Sequence, residues 1–199
     1  MKSDQLSQTA AFVAIKFYGL SRMPPFQTLF DERVINFYDR LVSTLPAPLG
    51  YYHYWLRRSW VRRLYIWSEE LLLPGDLLHI VGRKWHLQQM TQQLVDKGYE
   101  QLIVLGAGFD HLAHHYAQHG IQCVEFDVPH MASVKRRFLE EAYPRKTRPS
   151  ITGLLLPDDN LGDALRDNNG IHPHKKTAVV AEGFFDYLQP DTTQQVLQT

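Results

Sequence analysis

The stretch from residue 101 to residue 110 constrains the fold of this chain more than any other. Residues 102–105 are continuously apolar and predict a buried strand, and Gly106-Ala-Gly108 after them predicts a sharp turn. Because glycine lacks a Cβ atom, such a turn lets the backbone approach a ligand closely. A second apolar run at residues 123–127 ends in Asp127, whose carboxylate could accept hydrogen bonds from ribose hydroxyls. Together the two runs predict a nucleoside pocket in a parallel α/β sheet.

The pattern of the chain changes near residue 100. Before it, apolar residues recur with helical spacing between breakers such as Pro24 and Pro46, which predicts an α-helical cap region over residues 1–99. After it, strand candidates alternate with helical segments; they lie at residues 102–105, 123–127, 151–156 and 177–181. Such βαβ alternation is typical of a parallel sheet, so residues 100–199 are predicted to form a sheet region, with one structural domain overall.

A helix predicted across residues 51–70 carries an apolar stripe. Its members follow one another at steps of four, four and three, and they are Leu56, Trp60, Leu64 and Trp67. Four arginines surround the stripe, namely Arg57, Arg58, Arg62 and Arg63. The favoured interpretation is an amphipathic helix that packs this stripe against the core. The alternative is an element that contacts a membrane surface or an anionic substrate.

Composition limits the partners and the cellular compartment that we expect for this chain. Lys and Arg total 21 against 21 Asp and Glu, so no net field favours nucleic acid. The single cysteine, Cys123, excludes an internal disulfide and is typical of a reducing compartment. No apolar run is long enough for a membrane span, and the N-terminus shows no secretory signal. We therefore expect a cytoplasmic protein that binds no nucleic acid and does not span a membrane.

Three histidines share one predicted helical face because they recur at steps of four: His111, His115 and His119. A general base for a hydroxyl substrate and a metal site are both open interpretations. No Cys and no H-E-x-x-H motif accompanies them, so we expect no metal. The favoured interpretation is a histidine face that is solvated or lies at the edge of the core.

The glycine turn discriminates between nucleoside cofactors. A dinucleotide site requires G-x-G-x-x-G, but His111 occupies the third glycine position, and Asp110 places a carboxylate where a pyrophosphate would lie. NAD is therefore disfavoured. S-adenosylmethionine carries adenosine, a sulfonium and an ammonium but no phosphate, and it suits an acidic site better.

Three motifs in order carry a resemblance to a known family. They are V-L-G-A-G-F-D at residues 104–110, V-E-F-D-V-P at residues 124–129, and A-E-G-F-F-D-Y-L at residues 181–188. With Arg83 and Lys16 upstream, the chain resembles the leucine carboxyl methyltransferase family and the bacterial O-methyltransferases related to it. The resemblance implies a Rossmann-like class I methyltransferase sheet preceded by the helical cap. It also implies S-adenosyl-L-methionine as cofactor and methyl transfer to a carboxylate or hydroxyl oxygen of a small molecule or peptide.

The resemblance implies which residues would bind the cofactor's amino-acid tail. Arg83 and Lys16 match the pair that grips the methionine carboxylate, a role that suits the planar donor fork of Arg and the point charge of Lys. Gly106 and Gly108 would pass beneath the tail.

Three carboxylates complete the implied cofactor site. Asp127 would hold the ribose hydroxyls, with Glu125 as the competing candidate, and Glu182 would face the methionyl ammonium or the sulfonium. The catalytic residue stays open; the sulfonium already activates the methyl carbon, so neither a metal nor a covalent nucleophile is required.

The chain also departs from the family pattern. His111, Leu112 and His115 stand where a Thr and two Arg are common, and residues 154–156, all Leu, replace the Asp-Leu pair beside the adenine, with Asp158 nearby.

Family members extend well past this length and add strands that complete the sheet. We therefore expect a chain truncated at its C-terminus, with an incomplete sheet whose exposed edge favours a homo-oligomer. Two alternatives stay open: a catalytically inactive relative that acts as a binding or oligomerisation module, and a nucleotide-dependent oxidoreductase.

Overall fold

The structure, a computed structural model, describes residues 7–144 and 147–199. Residues 1–6, at the start of the predicted cap region, and residues 145–146, in the loop before the third strand candidate, lie outside the described residues. The chain divides into two compact units: a helical unit of residues 7–92 and a sheet unit that contains residues 93–199. The division falls inside one helix, Asp76–Asp96.

Helices α1 to α5 and most of α6 form the helical unit. Their bounds are Gln8–Ser21 for α1, Pro24–Gln27 for α2, Glu32–Thr44 for α3, Tyr51–Leu56 for α4, Ser59–Leu72 for α5 and Asp76–Asp96 for α6. Side chains cap two of these helices: Ser7 accepts a hydrogen bond from the amide of Ala10, and Asp31 accepts one from the amide of Arg33. The core lies where α1 meets α3, with aromatic rings in contact.

The sheet unit is built on a parallel sheet with the strand order β3-β2-β1-β4. The strands are Gln101–Leu105 (β1), Gln122–Asp127 (β2), Ser150–Gly153 (β3) and Thr177–Ala181 (β4). The helices are Leu112–Ala117 (α7), Pro129–Ala142 (α8), Leu161–Asp167 (α9) and Pro190–Leu197 (α10). This arrangement confirms the predicted fold class, a parallel Rossmann-like α/β sheet preceded by helices.

Each face of the sheet has its own apolar core, which explains the continuous apolar run of β1. Leu102 and Val104 pack on one face with Tyr116 of α7, whereas Ile103 and Leu105 pack on the other. Successive strand residues point to opposite faces, so a strand covered on both faces is apolar throughout.

The third strand is shorter than predicted. It ends at Gly153, because the amide of Leu155 donates to Asp159 Oδ2 at 2.7 Å and Pro157 has no amide hydrogen to donate. The apolar residues after Gly153 therefore belong to a loop.

The helix predicted across residues 51–70 is two helices, and the favoured interpretation of its apolar stripe is wrong. α4 ends at Leu56, and α5 begins at Ser59. Leu56 is 1% exposed, whereas Trp60, Leu64 and Trp67 are 65%, 56% and 63% exposed. The last three residues do share one face of α5, but that face contacts solvent and not the core.

The structure also shows where the single cysteine lies and whether any described helix could span a membrane. Cys123 is buried in β2, and this burial raises the pKa of its thiol far above the usual range. Among the described helices, none has the length and apolar character that crossing a bilayer demands.

Candidate cofactor site

Three of the predicted site residues lie in one row across the carboxyl ends of adjacent strands. The last residue of β1 is in register with Phe126 of β2 and with Ala181 of β4. The residues that follow these three positions are Gly106, Asp127 and Glu182. Because neighbouring strands lie about 4.8 Å apart, Asp127 and Glu182 flank the glycine turn. Open α/β sheets bind ligands in the crevice at this edge.

The glycine turn adopts a backbone conformation that favours glycine. Gly106 has a φ of +63° and Gly108 a φ of +44°, both in the left-handed region. A Cβ atom on Gly106 would lie 2.8 Å from Cδ2 of Phe184, so the turn packs directly against the loop after β4. The amide of Gly106 donates to the carbonyl oxygen of Phe126 at 2.8 Å. The turn is thus held between β2 and the loop after β4.

Asp127 is hydrogen-bonded to this turn. Its Oδ2 accepts from the amide of Gly108 at 2.5 Å, and its Oδ1 accepts from the amide of Val128 at 2.7 Å. Burial raises the pKa of the Asp127 carboxyl above its usual range, and the two backbone hydrogen bonds oppose the rise. A carboxylate has about four acceptor positions, so the two oxygens keep capacity for ligand hydroxyls.

Glu125 lies inside the fold and not at the strand end. It is 1% exposed, and Nζ of Lys135 on α8 lies 2.8 Å from each of its carboxylate oxygens. Burial raises the pKa of Glu125, while the ammonium group of Lys135 opposes this effect. Of the two carboxylates that the sequence left open for the ribose, Asp127 is therefore the one at the crevice.

Glu182 lies half-buried in the turn that follows β4, and Gly183 after it has a φ of +61°. This turn returns the chain so that Phe184 packs against Gly106 and against the apolar core that contains Leu105 and Phe126. Sequence reasoning missed the contact between Gly106 and Phe184. Its only signal was an aromatic residue soon after a strand end.

The two predicted carboxylate anchors belong to the helical unit. Lys16 on α1 donates to Oδ2 of Asp76 at 2.7 Å and lies 2.8 Å from Oε2 of Glu69. Burial alone would lower the pKa of Lys16, but the two carboxylates raise it above its usual value. Arg83 is half-buried on α6. The acidic partners of Lys16 belong to no motif, so the sequence did not predict them.

The three histidines lie within and on either side of α7, a helix shorter than the span of residues 111–119 that they were predicted to share. His111 immediately precedes α7 and is 1% exposed, while His119 lies beyond its end and is exposed. The ring centroids of His115 and His119 are 4.6 Å apart, and those of His111 and His115 are 6.4 Å apart. Within residues 7–144 and 147–199, no group of three His, Cys, Asp or Glu side chains could hold a metal ion. The arrangement agrees with a histidine face at the edge of the core.

Residues 154–156, where the family pattern has an Asp-Leu pair, form the start of a loop at the same edge. The amide of Leu154 donates to the carbonyl oxygen of Asp127 at 2.7 Å. Within this loop the carboxylate of Asp159 accepts from the amide of Leu155, and both Asp158 and Asp159 are exposed.

Comparisons with known proteins identify a family. A family model described as leucine carboxyl methyltransferase matches residues 68–199. A Frankia alni protein, provisionally named an S-adenosyl-L-methionine-dependent methyltransferase, is 27% identical over 124 residues. That alignment covers 61% of this chain and 43% of the relative, so the chain spans less than half of the relative's length. The matched range contains Arg83 and the row at the strand ends, and Lys16 lies outside it.

Proposed function

Because the chain belongs to the leucine carboxyl methyltransferase family, we propose that it binds S-adenosyl-L-methionine and transfers a methyl group to a carboxylate or hydroxyl oxygen of a small molecule or peptide. The observation that carries this proposal is the row of Gly106, Asp127 and Glu182 at the carboxyl ends of three adjacent parallel strands.

The chemistry of this row fits the cofactor. The glycine turn offers backbone without side chains, and Asp127 keeps acceptor positions for the two ribose hydroxyls. Glu182 supplies a negative charge that complements an ammonium or a sulfonium. The same charge would repel a pyrophosphate, which supports this cofactor over a dinucleotide.

Arg83 and Lys16 are the proposed partners of the cofactor's carboxylate. A guanidinium can bind a carboxylate through two parallel hydrogen bonds, so Arg83 is the stronger candidate. Lys16 already contacts Glu69 and Asp76, so it would have to exchange one of them for the ligand.

The chain has little covalent chemistry to perform. When bound, the cofactor supplies a methyl group that its sulfonium has already activated. The protein must therefore align the acceptor oxygen with that methyl group and exclude water. A carboxylate acceptor is ionised at neutral pH and requires no base, whereas a hydroxyl acceptor requires one.

Isothermal titration of the chain with S-adenosylmethionine, S-adenosylhomocysteine and NAD tests the proposal. We expect dissociation constants in the micromolar range for the first two compounds and no heat with NAD. Glu182→Gln should weaken S-adenosylmethionine binding by roughly tenfold or more, since a paired charge is lost. Glu100→Gln makes the same change at the amino end of β1, where the side chain is exposed, and should leave binding unchanged.

The same titrations separate the two roles open for Glu182. S-adenosylhomocysteine keeps the ammonium but lacks the sulfonium charge. If Glu182 faces the sulfonium, Glu182→Gln should weaken S-adenosylmethionine more than S-adenosylhomocysteine. If Glu182 faces the ammonium, both should weaken equally.

Each opposing outcome has a definite meaning. No binding of either adenosyl compound would contradict the proposal and favour an inactive relative, and a preference for NAD would favour an oxidoreductase. Unchanged affinity in Arg83→Ala would remove Arg83 as the carboxylate anchor.

A further inference from the structure

Helix α5 presents an apolar face to solvent. Four of its residues lie on one side at positions i, i+4, i+7 and i+11 and form the tryptophan face: Trp60, Leu64, Trp67 and Leu71. Their exposed fractions are 65%, 56%, 63% and 68%. The opposite side, with Val61, Tyr65 and Ile66, is half-buried. The helix is therefore packed on one side only, and no residue of α5 is fully buried.

Arginines surround the beginning of the tryptophan face. Arg57 and Arg63 are exposed, and neither forms an ion pair with any described residue. Arg58 donates to the hydroxyl of the exposed Tyr54 at 2.8 Å and stacks on its ring. Arg62 is instead turned inward and donates to the carbonyl oxygen of Leu56 at 2.9 Å. The positive charges of Arg57, Arg58 and Arg63 thus remain available to a partner.

The order of charges along α5 runs against the helix dipole. The arginines lie at the N-terminal end, where the backbone already carries partial positive charge, and the first turn contains no acidic residue. Glu69 and Glu70 lie near the C-terminal end. This order disfavours an isolated helix, but it places a strong positive potential beside an exposed apolar surface. The complementary partner is both anionic and apolar.

We propose that the tryptophan face docks on the surface of a bilayer that contains anionic phospholipid, with α5 lying in the interfacial plane. Tryptophan favours the boundary between headgroups and acyl chains, and arginine side chains reach the lipid phosphates. A second copy of the chain fits less well, because the nearby acidic groups are already engaged. Glu69 pairs with Lys16 at 2.8 Å, and Glu70 accepts from the amide of Gly75 at 3.0 Å.

Co-sedimentation with vesicles tests this docking. We expect the chain to bind vesicles of phosphatidylcholine mixed with phosphatidylglycerol, and to bind pure phosphatidylcholine weakly. Added salt should weaken binding to the mixed vesicles, because it screens the arginines. Tryptophan emission should shift to shorter wavelength as the rings leave water.

Two double variants separate the apolar from the charged contribution. Trp60→Ala with Trp67→Ala should lower partitioning into both vesicle types by roughly tenfold or more. Arg57→Gln with Arg63→Gln should lower the preference for phosphatidylglycerol by about 25-fold, since each basic residue near such a surface is worth about fivefold. All four side chains are exposed, so the variants should stay folded by circular dichroism.

Matched controls lie in the sheet unit. Leu197→Ala removes an aliphatic side chain that is 71% exposed, and Arg137→Gln removes an exposed arginine; neither should change vesicle binding. Absence of binding to the mixed vesicles would overturn the proposal, as would binding that the tryptophan variants leave intact. A dimer in sedimentation velocity that dissociates in the tryptophan variants would assign the face to a second copy instead.

Discussion

At the scale of single residues, the candidate site depends on backbone geometry. Gly106 and Gly108 adopt positive φ values, and the amide of Gly108 donates to the carboxylate of Asp127. The side chain of Phe184 then occupies the space that a Cβ atom on Gly106 would need. The positions of the Asp127 carboxylate and the Phe184 ring therefore both depend on the backbone conformation of the glycine turn.

A comparison of two glycine substitutions measures this dependence. Gly106→Ala must adopt a left-handed conformation, at about 1–2 kcal/mol, and must also displace Phe184. Gly98 has a φ of +82° but open space where a Cβ would lie, so Gly98→Ala pays the conformational cost alone. Urea unfolding should show the larger loss for Gly106→Ala, by about 1 kcal/mol or more.

If Gly106→Ala and Gly98→Ala lost the same free energy of unfolding, Phe184 would move aside at no cost. Cofactor titration provides a second measure, because Gly106→Ala should also weaken S-adenosylmethionine binding while Gly98→Ala should not.

At the scale of elements, a buried ion pair joins β2 to α8. Glu125 and Lys135 are 1% and 2% exposed, and each neutralises a charge that burial would otherwise make costly. By contrast, the pair between Arg166 and Asp163 on α9 is 72% and 60% exposed. The two pairs should therefore differ strongly in their effect on stability.

Removal of one partner should expose this difference. We expect Glu125→Leu or Lys135→Met to lower the free energy of unfolding by about 3–5 kcal/mol, because each leaves an unmatched buried charge. The double variant Glu125→Leu with Lys135→Met should recover most of that loss, and Arg166→Met should cost less than about 1 kcal/mol. Additive losses in the double variant would argue against the pairing.

A second polar cluster joins α1, α3 and α4 in the helical unit. Oδ1 of Asp39 accepts from Arg22 at 2.6 Å and from the hydroxyl of Tyr18 at 3.1 Å, and Nε2 of His53 lies 3.4 Å away. Burial alone would raise the pKa of Asp39, but Arg22 and then His53 lower it below its usual range. Ionised Asp39 therefore stabilises the folded state.

This shift gives stability a defined pH dependence. A carboxyl whose pKa is lowered by folding contributes stability above its unfolded pKa, near 4, and loses it as the pH falls through the folded value. Asp39→Asn should cost about 1 kcal/mol at neutral pH, a value discounted for partial exposure. The difference from the parent chain should shrink in acid.

Urea midpoints at neutral and acidic pH measure this change. Asp158→Asn makes the same change at an exposed position outside this cluster and provides the control. If the stability difference between Asp39→Asn and the parent chain grew as the pH fell, it would contradict a lowered pKa for Asp39.

At the scale of the whole chain, the described sheet has an open edge. Among the described residues β4 pairs with β1 alone, and Val179 in its centre is 61% exposed. Unpaired strand edges favour pairing with another strand, so we expect the 199-residue chain by itself to self-associate through β4. A lysine on such an edge opposes that pairing.

Sedimentation velocity over a range of concentrations tests this association. Val179→Lys should shift the chain toward monomer with little loss of stability, because the side chain is already exposed. Leu197→Lys introduces the same charge on α10, at a residue that is 71% exposed, and should leave the association unchanged. A monomeric parent chain at all concentrations would contradict the proposal.

Several features of this protein were determined by the sequence alone, because they depend on short stretches of chain. An apolar run such as residues 102–105 identifies a strand buried on both faces, and the following glycines identify a turn without side chains. The positions of Gly106, Asp127 and Glu182 at or just after the ends of predicted strands also followed from the sequence.

Only the tertiary structure decided which groups are buried and which face solvent, because burial depends on neighbours that are distant in the chain. Lys135 buries and neutralises Glu125, which leaves Asp127 at the crevice. The stripe on α5 has correct helical spacing for a core, yet Trp60 and Trp67 remain exposed, because periodicity identifies an apolar face without identifying what covers it.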